Sequence, residues 1–511
     1  MLRTSVKRLR PLLPKVIRQN RWINITAVQR QAVPAVVQQS TKGGFISWFF
    51  SDDPNTPPLY EPLPGAKLPP ALPDSVEPSE TKITTLANGL RIASEEISGS
   101  TTTVGIYIDS GSVYENPTYY GASHLLERMA FKSTKNRSHL RLVREVEAIG
   151  ANIAASASRE QMAYTGDSIR TYMPHMVELL VDTVRNPIFY DWEVKEQIHK
   201  VKEELAEIAN NPQSVLLEAL HSAGFTGGLA KPLLATESSL SRLDSHTLES
   251  FMLENYTAPR IVLAASGVDH EELVSVADSL LSDLPAVSPP SPPVSEYVGG
   301  DWRGQADSPN THVALAFEVP GGWRNDKQAI AATVLQSLLG GGGSFSSGGP
   351  GKGLYSRLYT RVLNQYQQVQ SCTAFSSVYN DTGIFGIHAT AGSDFVPQLV
   401  DIATNELLAV ATYGKVTDAE LQRAKNTTIS GVLMNLEARV VVTEDIGRQM
   451  LTYGKRKPVG GFVKAINALT LKDIAMAAES IVATPLTMAS WGDVVHVPRY
   501  EQVASRFRQN Q

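Results

Sequence analysis

Cysteine is almost missing from this 511-residue chain. Cys372 stands alone, which excludes a disulfide framework and any metal or cluster site built from several thiolates. Long apolar runs are missing too: no stretch approaches the roughly 18 consecutive apolar residues of a spanning helix, so the expectation is a soluble or peripheral protein. After the N-terminal segment there is no basic cluster interleaved with aromatics, and no nucleic acid is expected as a partner. Core-forming material is abundant, with 42% hydrophobic and 19% charged residues, a balance that forbids wholesale disorder. Ten histidines leave room for a histidine metal site.

Charge of one sign is missing locally. Residues 1–51 carry nine Lys or Arg and not a single acid. Without them the chain has 37 basic and 51 acidic residues, a body near −14. An Arg-rich, acid-free start with no long apolar core reads as a mitochondrial targeting segment over residues 1–51. The rival is a basic tail for acidic partners. Pro11 and Pro14 interrupt any amphipathic helix there. Residues 52–80 form a lead-in, with nine prolines between Pro54 and Pro78 that make an extended tether. Order is expected near Lys82, where residues 82–87 and 90–93 flank Asn88-Gly89, the signal for a two-residue turn with φ > 0 at both positions.

A second proline-rich break at residues 286–300 divides the body into residues 81–285 and 301–511. Laid side by side, the halves match. Each opens with a strand and a glycine turn (103–109 with Gly111; 312–319 with Gly321-Gly322) and continues into a helix (122–131; 329–339). A Ser/Thr-rich strand pair follows (152–168; 369–390), then two helices (176–185 and 192–209; 396–413 and 418–436). Each half closes on a strand led by proline, Pro259 or Pro485. This reads as an α+β chain of two homologous domains from an internal duplication, each a β-sheet covered by helices.

The chemistry is concentrated at Gly121-Ala-Ser-His124-Leu-Leu-Glu127-Arg128-Met-Ala-Phe131. Helical spacing puts positions 124, 127 and 128 on one face. In a His-x-x-Glu-His string the two histidines bind zinc, and the Glu takes a proton from zinc-bound water. Here the second histidine is Arg128, which has no lone pair to donate. Taken alone, His124 reads as a core histidine and Glu203, Glu204 and Glu207 as a solvated helix face. The degenerate string, the hairpin before it, Phe131-Lys132-Ser133-Thr134 after it and the duplicated body together resemble the inverzincin (pitrilysin, M16) metallopeptidase family over about residues 80–495. The second half offers no ligand pair, since its matching helix reads Val334-Leu335-Gln336-Ser337-Leu338.

The resemblance implies a third ligand on a later helix, matched here by Glu204 or, one residue out of register, Glu203. With Arg128 in place, His124, Glu127, Arg128 and Glu204 are the remnant of a site, with no catalytic residue, no metal and no cofactor on this chain. It further implies a heterodimer whose β-type partner subunit keeps the intact string, holds zinc and cuts the presequences of imported mitochondrial precursors, in the matrix or on the matrix side of the inner membrane. Related chains also serve as structural core subunits of ubiquinol–cytochrome c reductase (complex III), which stands as the alternative. An active peptidase is disfavoured, because catalytic zinc needs three protein ligands.

The remaining motif is glycine-rich, with eight glycines between Gly340 and Gly353. It is no phosphate loop, since Ser346 and Gly353 occupy positions where Walker A needs Gly and Ser or Thr. A flexible linker is the plain reading. Its place inside a domain favours a functional loop, and the resemblance implies substrate binding by Gly340, Gly341, Gly342, Gly343, Ser344, Phe345, Gly348, Gly349, Gly351, Lys352 and Gly353. The acidic body suits cationic peptides, with Asp191, Glu193, Glu196, Glu203, Glu204 and Glu207 as candidate contacts.

Overall fold

The computed structural model describes residues 80–287, 293–343 and 354–508. The targeting segment, nearly all of the proline-rich lead-in, residues 288–292 of the interdomain break and residues 344–353 of the glycine-rich motif lie outside them.

In the first half the strands are β1 (Lys82–Thr85), β2 (Arg91–Glu95), β3 (Thr101–Ile108), β4 (Asn152–Ala157), β5 (Met162–Ile169), β6 (Phe225–Gly227) and β7 (Ile261–Ser266). The helices are α1 (Ala122–Met129), α2 (His139–Ala148), α3 (Met173–Arg185), α4 (Asp191–Ile208), α5 (Pro212–Gly224), α6 (Glu237–Leu240), α7 (Ser245–Asn255) and α8 (His270–Leu281). The second half adds β8 (Ser295–Tyr297), β9 (Gly300–Gln305), β10 (Asn310–Glu318), β11 (Gly341–Gly343), β12 (Val369–Val378), β13 (Gly383–Gly392) and β14 (Thr487–Gly492). Its helices are α9 (Asp326–Leu339), α10 (Val396–Ala411), α11 (Asp418–Asn435), α12 (Arg439–Tyr453), α13 (Val459–Ala468), α14 (Leu471–Val482) and α15 (Tyr500–Arg508).

Among the described residues these strands build two six-stranded mixed sheets, β1-β2-β7-β3-β5-β4 and β11-β12-β13-β10-β14-β9. The duplication is visible strand by strand. The parallel pair β2–β7 answers to β9–β14, and the antiparallel run β7-β3-β5-β4 answers to β14-β10-β13-β12. α3 and α10 each start with a proline in their first turn, Pro174 and Pro397, where the missing N–H is not needed.

Both faces of each sheet are covered, and the halves exchange a helix to do it. In the first sheet Val104, Ile106 and Ile108 face one core, under α3 and α8. Tyr107, Val262 and Ala264 face the other way, against Val442, Ile446 and Met450 of α12. In the second sheet Ala314, Ala316 and Ala489 are covered by Leu216, Ala219 and Leu220 of α5. Each half therefore supplies the lid of its neighbour's sheet, which no boundary drawn along the chain at 286–300 captures. That stretch is not only linker: it contains β8, which pairs antiparallel with β6. Tyr297 is held there because its hydroxyl bonds the Ala316 carbonyl (3.1 Å) and Thr487 Oγ1 (2.6 Å).

The first hairpin also departs from expectation. Leu86 N–H donates to the Leu90 carbonyl (2.8 Å), so three residues form the loop, and of Asn88 and Gly89 only Gly89 has positive φ, at +89°. Asn88 instead spends its side chain. Nδ2 donates to the Leu281 carbonyl at the end of α8 (2.7 Å), and Oδ1 accepts the Leu90 N–H (3.1 Å).

Candidate functional site

The motif helix α1 begins at Gly121, whose φ is +87° and whose missing Cβ would lie 2.6 Å from Ala235 Cβ. Glycine is required there twice over. The first amides of the helix need partners, and the Glu115 carboxylate supplies them: it accepts from Gly121 N–H and Ser123 N–H, both at 2.8 Å. Burial pushes the Glu115 carboxyl up to about 7 against the pull of those two bonds. The helix stops at Met129, short of the expected Phe131. Phe131 has φ +60°, a left-handed non-glycine residue beside the site. His139 Nδ1–H donates to its carbonyl (2.9 Å), and its ring meets Tyr164 edge-on at 6.2 Å.

The three motif side chains reach three different elements. His124 is buried, and its Nδ1 accepts the Ala235 N–H at 3.2 Å. Burial, aided by the charge of Arg128, holds this imidazole down at about 4, so it is neutral. Glu127 Oε2 accepts the Ala157 N–H (2.9 Å) at the end of β4. Arg128 Nη2 lies 2.9 Å from Glu204 Oε2 on α4, the two side chains 39% and 35% exposed. Glu204 thus faces Arg128, whereas Glu203 turns out toward His199 (3.5 Å).

One proposed acidic contact is ruled out by geometry. Glu193 is buried and accepts from Ser133 Oγ (2.7 Å), because Val194 and Gln197 turn that face of α4 inward. Glu196 pairs with Lys200 (2.6 Å), so part of the exposed acid of α4 is neutralised along the helix. The site therefore holds a neutral imidazole, a carboxylate fixed by a backbone amide, and a guanidinium–carboxylate pair. Among the described residues no three His, Cys, Asp or Glu side chains are grouped so as to hold a metal ion.

The glycine-rich motif is structured at its root. Gly341, Gly342 and Gly343 add β11 to β12. Gly340 has φ +58° and a Cβ there would meet Ser356 Cβ at 2.3 Å, while one on Gly341 would meet the Cys372 carbonyl oxygen at 2.0 Å. Gly341 N–H donates to Ser356 Oγ (3.1 Å), tying the start of the motif to the chain just beyond it. A Cβ on Gly342 would face open space, and one on Gly343 would meet only the Gln370 carbonyl oxygen, at 3.9 Å. Ser344, Phe345, Gly348, Gly349, Gly351, Lys352 and Gly353 lie outside the described residues.

Two contributors escaped the sequence reading. Glu115 lies six residues before Gly121, beyond the spacing of a capping box, and the Ala235 contact is a backbone amide 111 residues from His124. Neither leaves a signal in a linear pattern.

Residues 91–237 match the family model for insulinase (peptidase family M16), and residues 242–428 match that for the M16 inactive domain. The chain belongs to peptidase family M16. Its M16 relatives include the mitochondrial-processing peptidase subunit alpha of Solanum tuberosum, 59% identical over 475 residues that span 93% of this chain and 94% of that protein. The probable subunit alpha-1 of Arabidopsis thaliana is 55% identical and covers 99% of this chain and 100% of its own length. The human alpha subunit is 35% identical over 87% of this chain and 88% of its own. Like these relatives, the chain is mitochondrial. Among solved structures, a chain of complex III2 from Candida albicans, bound to Inz-5, superimposes with a TM-score of 0.72 at 22% identity. The match covers 83% of this chain and 99% of that one, and it establishes a common M16 fold.

Proposed function

We propose that this M16 chain is the non-catalytic, substrate-recognising subunit of a heterodimeric mitochondrial processing peptidase. It binds the basic presequences of imported precursors, and a β subunit with an intact His-x-x-Glu-His string carries zinc and cuts. The observation that carries this reading is the Arg128–Glu204 pair at 2.9 Å. A guanidinium has no lone pair and stays protonated, and it engages the carboxylate that would serve as the distal ligand. With His124 as the remaining nitrogen, the residues present fall short of the three ligands a catalytic zinc needs. The names of the relatives point the same way. The reading assigns peptide binding to the segment 340–353, with Gly340 and Gly341 as its anchor, and puts the protein in the matrix or on the matrix side of the inner membrane.

The test is a presequence-cleavage assay on this chain alone, on a β-type partner alone and on the mixture, with zinc measured on each. Cleavage only by the mixture, with zinc only on the partner, is expected. Deleting residues 344–353, which leaves Gly340 and Gly341 in place, is expected to raise the apparent KM without removing zinc from the partner. Cleavage and stoichiometric zinc on this chain alone would overturn the reading. A second reading, a structural core subunit of ubiquinol–cytochrome c reductase, is favoured by the fold likeness to a complex III chain. It predicts co-purification with the other subunits of that complex.

A further inference from the structure

The hydrogen bond on His124 bears on the metal independently of Arg128. A histidine that binds a metal through one ring nitrogen donates the N–H of the other to an acceptor, which fixes the tautomer and aims a lone pair at the ion. Around His124 that polarity is reversed. The partner of Nδ1 is a donor, the backbone N–H of Ala235 at 3.2 Å. Nδ1 therefore carries the lone pair into that bond, and the single proton of the neutral ring sits on Nε2. The side of the imidazole left for a ligand presents an N–H.

The Ala235 amide is held where it is. Ala235 is 2% exposed and packs against Gly121, where a Cβ would come within 2.6 Å of its own. The next residue, Thr236, caps α6: its Oγ1 accepts Ser239 N–H (3.2 Å) and its N–H donates to Ser239 Oγ (3.0 Å). That cap fixes the chain immediately after Ala235. We infer that metal is excluded from this site twice, by Arg128 and separately by the Ala235 backbone N–H, which locks His124 as a hydrogen-bond donor toward the site. The inference rests on the non-catalytic reading above and adds that restoring the second histidine alone does not restore a zinc site.

The test uses the full chain and zinc itself, with affinity read by competition against a chelator. Arg128→His is expected to bind zinc no more tightly than the unmutated chain. Arg128→His combined with Ala235→Pro, which deletes the N–H, is expected to bind about 10–100-fold more tightly than Arg128→His, the range by which second-shell partners tune metal sites. Equal, stoichiometric binding by both variants would overturn the inference. A measurement that does not depend on the proline variant folding is the ¹⁵N spectrum of the unmutated chain, with the His124 ring identified by its loss in His124→Gln. A bare Nδ1 and a protonated Nε2 are expected, and a proton on Nδ1 would overturn the lock. Zinc on Arg128→His alone would overturn only this inference, whereas stoichiometric zinc on the unmutated chain would overturn the functional reading as well.

Discussion

The two halves share a sheet order and differ at its edges. The first sheet gains β1 beside β2 and leaves β4 as its last strand, while the second gains the glycine strand β11 beside β12. The helices that answer to each other also differ. α1 carries His124, Glu127 and Arg128, whereas α9 buries Ala331, Ala332, Val334, Leu335, Leu338 and Leu339. Duplication has preserved what both faces of a sheet demand, namely apolar cover. It has drifted where backbone or a helix face is free to take other partners.

Each half also buries an arginine among carboxylates shortly after the helix that follows its first glycine turn. Arg357 is 1% exposed, with Nε 2.6 Å from Glu406 and Nη1 3.0 Å from the Lys415 carbonyl. Arg137 is 7% exposed and contacts Glu145, Glu178 and Asp182 at 2.8, 2.5 and 3.0 Å. Removing either cation strands carboxylates in a poorly solvated place. Arg357→Met and Arg137→Met are each expected to cost about 3–5 kcal/mol, read from denaturant midpoints. A large loss in one half with none in the other would break the equivalence of the two cores.

The exchanged helices are seated by glycines. A Cβ on Gly447 of α12 would lie 2.2 Å from Tyr107 Cδ2, and one on Gly224 of α5 would lie 2.7 Å from Thr487 Oγ1. Gly447→Ala and Gly224→Ala are each expected to cost about 1–3 kcal/mol by overpacking. Because each lid belongs to the other half, a single cooperative unfolding transition is expected to persist in both variants. Separate transitions for the two halves would show that the exchange does not couple them.

Much of this frame was legible in the sequence. Strands followed by glycine turns, amphipathic helices and closing strands led by proline are local patterns, and they carried the α+β class, the duplication and the helix bearing the motif. The exchange of α5 and α12 was not legible, because a helix with one apolar stripe does not say which sheet it will cover. The site was legible as residue types: Arg128 speaks for itself, and of Glu203 and Glu204 the helical period on α4 chooses the one facing α1. Asn88 misled, since its turn propensity lost to three carbonyls at the end of α8 that its amide could satisfy. Glu193 misled for the same reason, as a charge whose partner Ser133 lies 60 residues away.

Where the halves meet, a pH-dependent contact is expected. Both carboxylate oxygens of Glu160, in the β4–β5 turn, accept the Asn380 N–H at 3.2 and 3.1 Å. Burial, reinforced by Asp109 and Asp381 and opposed by the Asn380 bond and Arg324, pushes this carboxyl up to about 7. A carboxyl raised in the folded state favours folding when protonated, so its penalty grows as pH climbs from its unfolded value toward 7 and is complete above that. Glu160→Gln keeps an acceptor for Asn380 and loses the charge. It is expected to gain about 2–3 kcal/mol more at pH 8 than at pH 5, measured as paired denaturant midpoints. An equal gain at both pH values would mean that ionisation of Glu160 is not what strains the seam.

The smallest effect is expected at the site itself. Arg128 and Glu204 are each more than a third exposed, unlike the buried arginines. Water and salt screen such a pair, and ordering two long side chains offsets most of its attraction. Arg128→Gln is therefore expected to change stability by less than about 1 kcal/mol, with the difference shrinking further in high salt. A loss as large as that of Arg357→Met would give the pair a different meaning. It would make the guanidinium a structural bolt between α1 and α4, doing by charge what a metal bridging those helices would do by coordination. In that event the contrast between the halves would lie in which arginine holds each core together, and the remnant site would count among the supports of the first.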